Sequence, residues 1–483
     1  MLFAHPSNQK RLTKNVLFIG CLWLSMVFFV AWGLVSCSSD TSEREGDEFQ
    51  HGEQTGDIER GIEQTPSDER LADATLLVDG SPADNITQAD ISSVDRTENS
   101  ELPDLRSFRI FIPGAGHGKT RIQPSMAFAD DGKFFVAWTG SAENNNLGIY
   151  GALYAQDGAE LQSPLRIDTY QGGNKIEPQI CKLQGGGYIA VWAMDNQTSN
   201  PEIPNMEIRY RRIDEQGKPI DPEDIQLTTD VVGNHWMARV VCPDDGGFIV
   251  AGSRPDSDGK TFGVFFRRFN ANGQAQGTAQ QVNTSPDGTQ VYPAIAATKS
   301  NAVIVAWSDT PAPPDDKDRV MFRFFPPDNQ AAHEPLIAAG IAPDTASSPA
   351  VSVHPVLGDF VIAAVLNQGR ALSLRYYSAQ AQYLRDLSLP KHPTPIYNPA
   401  IIALPLSGAY ALAYMTGTGK DVSVYAVILG VPQVPSEPVL LASGDFPGAY
   451  RLFMTYRNGK LAVAWTKRDT SDKSFACQIA FFP

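Results

Sequence analysis

The sequence predicts an all-β fold over residues 105–483, a seven-bladed β-propeller with four antiparallel strands per blade. Three observations carry this prediction. A short apolar run ending in Trp recurs at a nearly constant interval, and each copy sits in a unit with room for four short strands. The last unit lacks a fourth strand, while an orphan strand precedes the first unit.

The Trp runs are Phe134–Trp138, Tyr188–Trp192, Val303–Trp307 and Leu461–Trp465, with degenerate copies ending at Gly252, Ala364 and Tyr414. Their end positions lie 50–60 residues apart, which makes seven units. Every residue in these runs is apolar, not every second one. A strand with one wet face alternates, so a continuous run fits a strand covered on both sides by stacked blades.

About fourteen residues before the Trp position, a Pro opens the first strand of most units: Pro124, Pro178 and Pro293, with Pro349 and Pro399 one residue further back. A turn rich in Asp or Gly follows, then the Trp strand, a polar loop and a third strand such as Ile149–Tyr154 or Val264–Phe269. Hairpin turns such as Gln156-Asp157-Gly158 and Asn272-Gly273 lead to a polar fourth strand, with Gly supplying the positive φ of a tight connection. The chain stops at the third strand of the last unit, Phe475–Phe482, and Ser107–Ile112 belongs to no unit. A closing strand at about 107–113, placed as the outer strand of the last blade, accounts for both leftovers and hides an open edge.

The repeats resemble those of propellers in secreted and surface bacterial proteins, with Trp closing the second strand. They depart from WD40 repeats, which carry Gly-His and a closing Trp-Asp. They depart also from Kelch repeats, whose double Gly follows the second strand where here it precedes it. No function follows from either family. Pro255–Phe262 is similar to the Asp-box of sialidase propellers, but its Asp and Gly are adjacent and it occupies a different loop, so it reads as a turn.

The first 36 residues read as a targeting segment, with Lys10, Arg11 and Lys14 before an apolar run from Val16 to Leu34. That run is long enough to cross a bilayer, and an uncleaved anchor is the alternative. Its end, Leu34-Val35-Ser36-Cys37, resembles the lipobox of bacterial lipoproteins. The resemblance implies a signal peptide over 1–36, lipidation of Cys37 and anchorage in the membrane by the lipid. Ser38 stands where an Asp would retain a lipoprotein in the inner membrane, so the resemblance implies an outer-membrane protein facing the periplasm or the surface.

Residues 37–104 read as an acidic disordered tether. Positions 38–104 hold 19 Asp and Glu against 4 Arg, a net charge of −15, with Phe49 the one aromatic. Such a segment cannot bury enough apolar surface to offset its ordering entropy. As a flexible coil it spans roughly 45 Å. Residues 105–483 carry 32 basic and 35 acidic groups, so the acidity of the chain says little about the partners of the folded part. The net negative charge of the chain argues against nucleic acid, which requires a basic face.

No metal-ligand, nucleophile-elbow or phosphate-loop pattern occurs, and neither a metal nor a cofactor is expected. His117 reads as a loop residue. Cys181 and Cys242 fall on neighbouring blades of a domain read as extracytoplasmic and could form a disulfide, but they lie eleven and ten residues before their Trp positions, and the offset of one points them to opposite sides, so the sequence leaves the bond open. Cys477 reads as a core residue. The connections between blades and between second and third strands are longer than the Gly-rich turns, and recognition is expected on their face. There Tyr170, His235, Trp236 and Tyr292 are candidates for aromatic contacts, and Asp195 and Asp256 for polar ones; packing is the alternative for His235 and Trp236.

These readings predict a membrane-anchored extracytoplasmic binding or scaffold module for a protein or glycan partner. The alternatives are a glycan-active hydrolase or lyase using the central funnel, and a structural subunit of an envelope complex. For the lipobox, Cys37→Ser is expected to leave an unprocessed precursor that takes up no labelled palmitate, as read by metabolic labelling and gel mobility.

Overall fold

The computed structural model describes residues 102–482, apart from 115–119, 143–145, 171, 196–205, 228–233, 257–260, 314–316, 329, 331–332, 341–343, 390, 406, 431–434, 447–450 and 470. The targeting segment, Cys37, all but the last three residues of the acidic segment, and His117 lie outside the described residues. So does the centre of the Asp-box-like loop.

Seven four-stranded antiparallel sheets make up the domain, a seven-bladed β-propeller. Among the described residues there is no helix. Blades one to six each use four consecutive strands; blade seven runs Phe453–Arg457, Lys460–Arg468, Phe475–Phe482 and then Arg109–Phe111. The expected closing strand is therefore present, shorter than 107–113, in register Arg109 with Phe481 and Phe111 with Ile479. The Phe111 ring meets Phe481 of blade seven at 6.0 Å, and Phe134 and Tyr154 of blade one at 5.5 and 4.9 Å. One side chain thus packs on both sides of the seam.

The second strands are buried along nearly their whole length. Alternate residues face opposite neighbours: Phe134, Val136 and Trp138 pack with Ala462 and Ala464 of blade seven, whereas Phe135 and Ala137 pack with Tyr188, Ala190 and Trp192 of blade two. Each of the larger ones, such as Phe134, Phe135 or Val136, is worth about 1.5–3 kcal/mol when taken from water. Blade three has Gly252 where others have Trp, because a Cβ there would lie 2.6 Å from Ile208 Cδ1 and 3.0 Å from the Phe265 ring. Those two side chains occupy the space.

The Pro signal has a different meaning from the one expected. The inner strands begin before it, at Arg121, Lys175, Thr289, Ala346 and Ile396. Gln123, Glu177, Tyr292, Ser348 and Asn398, each directly before a Pro, have φ of 52–57°, and pairing shifts register at every one. Met237 of blade three does the same before Ala238. Pro lacks an N–H and is tolerated where a bulge interrupts the ladder at a sheet edge. The bulges also knit the ring: the Gln123 N–H donates to Thr466 Oγ1 of blade seven (2.8 Å), Glu177 N–H to Gln123 Oε1 (2.9 Å) and Ser348 N–H to Ser308 Oγ (3.0 Å).

Cys181 and Cys242 form a disulfide between blades two and three, with Cα atoms 5.8 Å apart. The offset of one residue permits this bond. Blades stack front to back, so side chains that meet between two blades leave opposite faces of their sheets. Cys477 is fully buried, as expected.

Deleting residues 105–113 is expected to lower the melting temperature of the whole ring, since it bares the last blade's outer edge; a truncated protein melting like the parent would refute the closing role. Trp192→Ala, at a fully buried site, is expected to lose about 3–5 kcal/mol by chemical denaturation.

Candidate functional site in the central channel

The inner strands edge a central channel, and a cavity of about 470 Å³ opens along it. Its walls are the second halves of these strands and the turns that follow, including Asp244, Lys299, Pro355 and Arg457. The cavity therefore opens on the face of the short Gly-rich turns, opposite the longer loops.

Five cationic side chains line it, Lys182, Arg239, Lys299, Arg451 and Arg457, against one carboxylate, Asp244. Arg457 is ion-paired with Asp130 (Nε to Oδ1 2.7 Å), and the Lys182 ammonium donates to the Leu183 carbonyl (2.8 Å). Arg239 and Arg451 have no ion pair among the described residues. Arg239 donates only to the Ala238 carbonyl (2.6 Å), and the Arg451 guanidinium lies 5.0 Å from the centre of the Tyr292 ring. Blades seven and four are not neighbours, so this cation–π contact crosses the channel.

The electrostatics follow from that crowding. Burial, and then the like charge of Arg451, pulls Arg239 down to about 9, with Glu177 opposing, so it remains charged at neutral pH. Burial also lowers Arg451, with Glu177 and Tyr292 opposing. The Tyr292 hydroxyl is raised by burial, with Arg451 pulling it down. Two desolvated guanidinium groups thus share one nearby carboxylate. A half-buried charge without a full partner carries part of that desolvation cost, and an anionic ligand would supply the missing charge.

Of the six residues picked out by sequence, only Tyr292 belongs to this channel. It lies in the inner strand Thr289–Ala297 at the bulge, not in a connecting loop. Tyr170 is 43% exposed and caps a charged cluster between blades one and two. Lys175 and Arg209 lie 5.6 and 5.4 Å from its ring centre, and below it Asp168 pairs with Arg166 (2.7 Å) and Lys175 (3.8 Å). Asp195 ends the second strand of blade two, its N–H donating to the Asn174 carbonyl (3.0 Å). His235 is buried against Phe265 at 6.3 Å, and Trp236 tilts over Phe262 at 5.3 Å, so both pack within blade three. Asp256 accepts from Asn283 Nδ2 (3.1 Å) in a polar network at the junction of blades three and four. These five do not converge on one cavity.

Sequence reasoning missed Arg239, Arg451 and Glu177. Strand register supplies the signal that was overlooked. The residues equivalent to Arg239, each paired opposite the position before the Trp, are Ser125, Gln179, Ala294, Ala350, Ala400 and Phe453. Arg239 is the one charged member. Arg451, two residues before Phe453, matches the bulge column of Gln123, Glu177 and Tyr292.

No protein-family model matches the chain, and no curated protein matches it. Among solved structures, the chain is similar to an ulvan lyase of polysaccharide lyase family PL25 bound to -[GlcA(1-4)Rha3S]-, at 12% identity and a TM-score of 0.51 over 76% of this chain and 95% of that one. It is also similar to a protein of unknown function from Dyadobacter fermentans (11% identity, TM-score 0.46, 77% and 97% covered). A third is the BP39L lectin of Burkholderia pseudomallei (12% identity, TM-score 0.49, 75% and 96% covered). At such identities the likeness is one of fold.

Because a half-buried charge without a full partner weakens a fold, Arg239→Met is expected to stabilise the ring by up to about 1 kcal/mol, measured by urea denaturation. A loss of stability would mean that the guanidinium serves the fold.

Proposed function

We propose that this protein is a lipid-anchored extracytoplasmic binding module that takes an anionic ligand, a uronate- or sulfate-bearing glycan, into its central channel. The observation that carries the reading is the pair Arg239 and Arg451, held in the channel without an ion pair among the described residues. Guanidinium groups suit carboxylate and sulfate, whose oxygens accept paired N–H bonds. The ulvan lyase of similar fold makes a sulfated uronate polymer the first ligand to try. Anchorage through Cys37 on an acidic tether would hold the module at the membrane and repel anionic ligands from everything but the channel.

The channel supports binding better than catalysis. Glycoside hydrolysis by a carboxylate pair needs two acids across a bond, and Asp244 is the one carboxylate in the lining. An elimination needs a base, and burial holds both Tyr456 of the cavity lining and Tyr292 beside Arg451 above the ordinary phenol pKa.

The test is a titration of the full-length protein with polygalacturonate and with sulfated glucuronan, followed by fluorescence at low and high salt. Binding is expected, weakening as salt rises and falling about tenfold or more in Arg239→Ala and Arg451→Ala. Equal binding by those variants would remove the channel as the site. Growth of the absorbance of unsaturated uronate would establish a lyase instead.

A further inference from the structure

A second, smaller cavity lies apart from the channel, between blades five and six and beside the turn Pro355–Gly358. It measures about 80 Å³ and is lined by His354, Leu357, Asp359, Tyr376, Leu384 and Arg385, among others. That is room for about two or three waters or for one small polar group carrying a methyl.

The polar atoms in this cavity are defined by what they already bind. His354 Nδ1 accepts the N–H groups of Val356 (3.3 Å) and Leu357 (3.1 Å). An imidazole nitrogen that accepts cannot carry the proton, so the proton sits on Nε2. Burial lowers the His354 pKa, which keeps the ring neutral in this tautomer at neutral pH. Nε2–H is then a fixed donor, and it has no partner among the described residues although His354 is only 3% exposed. The Tyr376 hydroxyl, at 4% exposure, is likewise buried without a partner. Arg385 covers the Tyr376 ring at 4.4 Å, so the phenol is held in place. Asp359 accepts the Ala379 N–H through Oδ1 (3.1 Å), leaving its second oxygen as an acceptor.

Two buried donors left unmade cost free energy that a ligand oxygen would recover. The rim is apolar and exposed: Leu357 and Leu384 are 50% and 52% exposed. Leu357 and Leu384 both line the cavity, so the apolar surface continues into it.

We propose that this cavity is a binding site for the acetamido group of an N-acetylated amino sugar. The carbonyl oxygen accepts from His354 Nε2–H and Tyr376 O–H, the amide N–H donates to Asp359, and the methyl rests on Leu357 and Leu384. The sugar ring lies outside the cavity, over the exposed Leu384. This site is separate from the channel and does not depend on the anionic-ligand reading.

Saturation-transfer NMR on the full-length protein tests it, with N-acetylglucosamine, N-acetylgalactosamine, glucose and N-acetylalanine amide as probes. Transfer is expected to the acetyl methyl of at least one amino sugar and not to glucose. Tyr376→Phe, which keeps the ring and the packing, is expected to weaken binding about tenfold; Asp359→Asn is expected to weaken it as well. The proposal is overturned if neither amino sugar binds, if glucose binds equally, or if Tyr376→Phe binds as the parent does. Binding of N-acetylalanine amide in preference to the sugars would make the site one for peptide and overturn it too. Polygalacturonate is expected not to displace the sugar, and displacement would place the sugar in the channel.

Discussion

Every blade of this domain is apolar on both faces, so each must have a neighbour on either side. A single sheet with two apolar faces would not be soluble, and an open stack would leave two such faces bare. Closing the stack into a ring is the arrangement that covers all of them. The three residues Arg109–Phe111 matter out of proportion to their number because they complete blade seven and pack Phe111 across the seam with blade one. The rest of the structure, including the channel and the pocket beside blade five, exists because that ring closes.

Closure has a consequence for the inner edge. Seven strands brought round an axis cannot all keep straight ladders, and bulges at Gln123, Glu177, Met237, Tyr292, Ser348 and Asn398 turn each inner strand where it meets the channel. Their N–H groups are freed from the regular ladder, and several are taken by the preceding blade. The bulge therefore bends the strand, joins the blades and sets the side chains of the channel. Residues that depart from the repeat at these columns, Arg451 above all, are where the ring is specialised. The same economy holds on the short-turn face, where the turn after the inner strand of blade five fixes the His354 tautomer with its own backbone.

The face of the short turns holds both cavities, although the longer loops lie on the other. Loop length is a poor guide here because the channel is not built from loops. It is built from strand edges, and its mouth is wherever those edges splay. On the long-loop face the ionic groups are mostly satisfied by one another, as with Asp168, Lys175 and Arg166 beneath Tyr170. On the other face Arg457 is paired with Asp130, but His354 Nε2 and the Tyr376 hydroxyl have no partner among the described residues.

Blade number, strand order and the closing strand were legible in the sequence because they follow from local periodicity and from counting: an apolar run every 50–60 residues, a unit one strand short and a strand with no unit. The burial of Trp138, Trp192, Trp307 and Trp465 was legible for the same reason. Other features depend on which faces meet. The disulfide between Cys181 and Cys242 stays open in the sequence because parity along one strand does not say that stacked blades present opposite faces to each other. Pro124 and its equivalents marked the repeat correctly but hid the bulge, since a break in pairing shows only against a partner strand. Arg239, Arg451 and Glu177 come from blades three, seven and two, far apart in the chain, and only closure of the ring brings their charges within reach of one another. Periodicity along the chain determined the architecture, and contact across the axis decided the site.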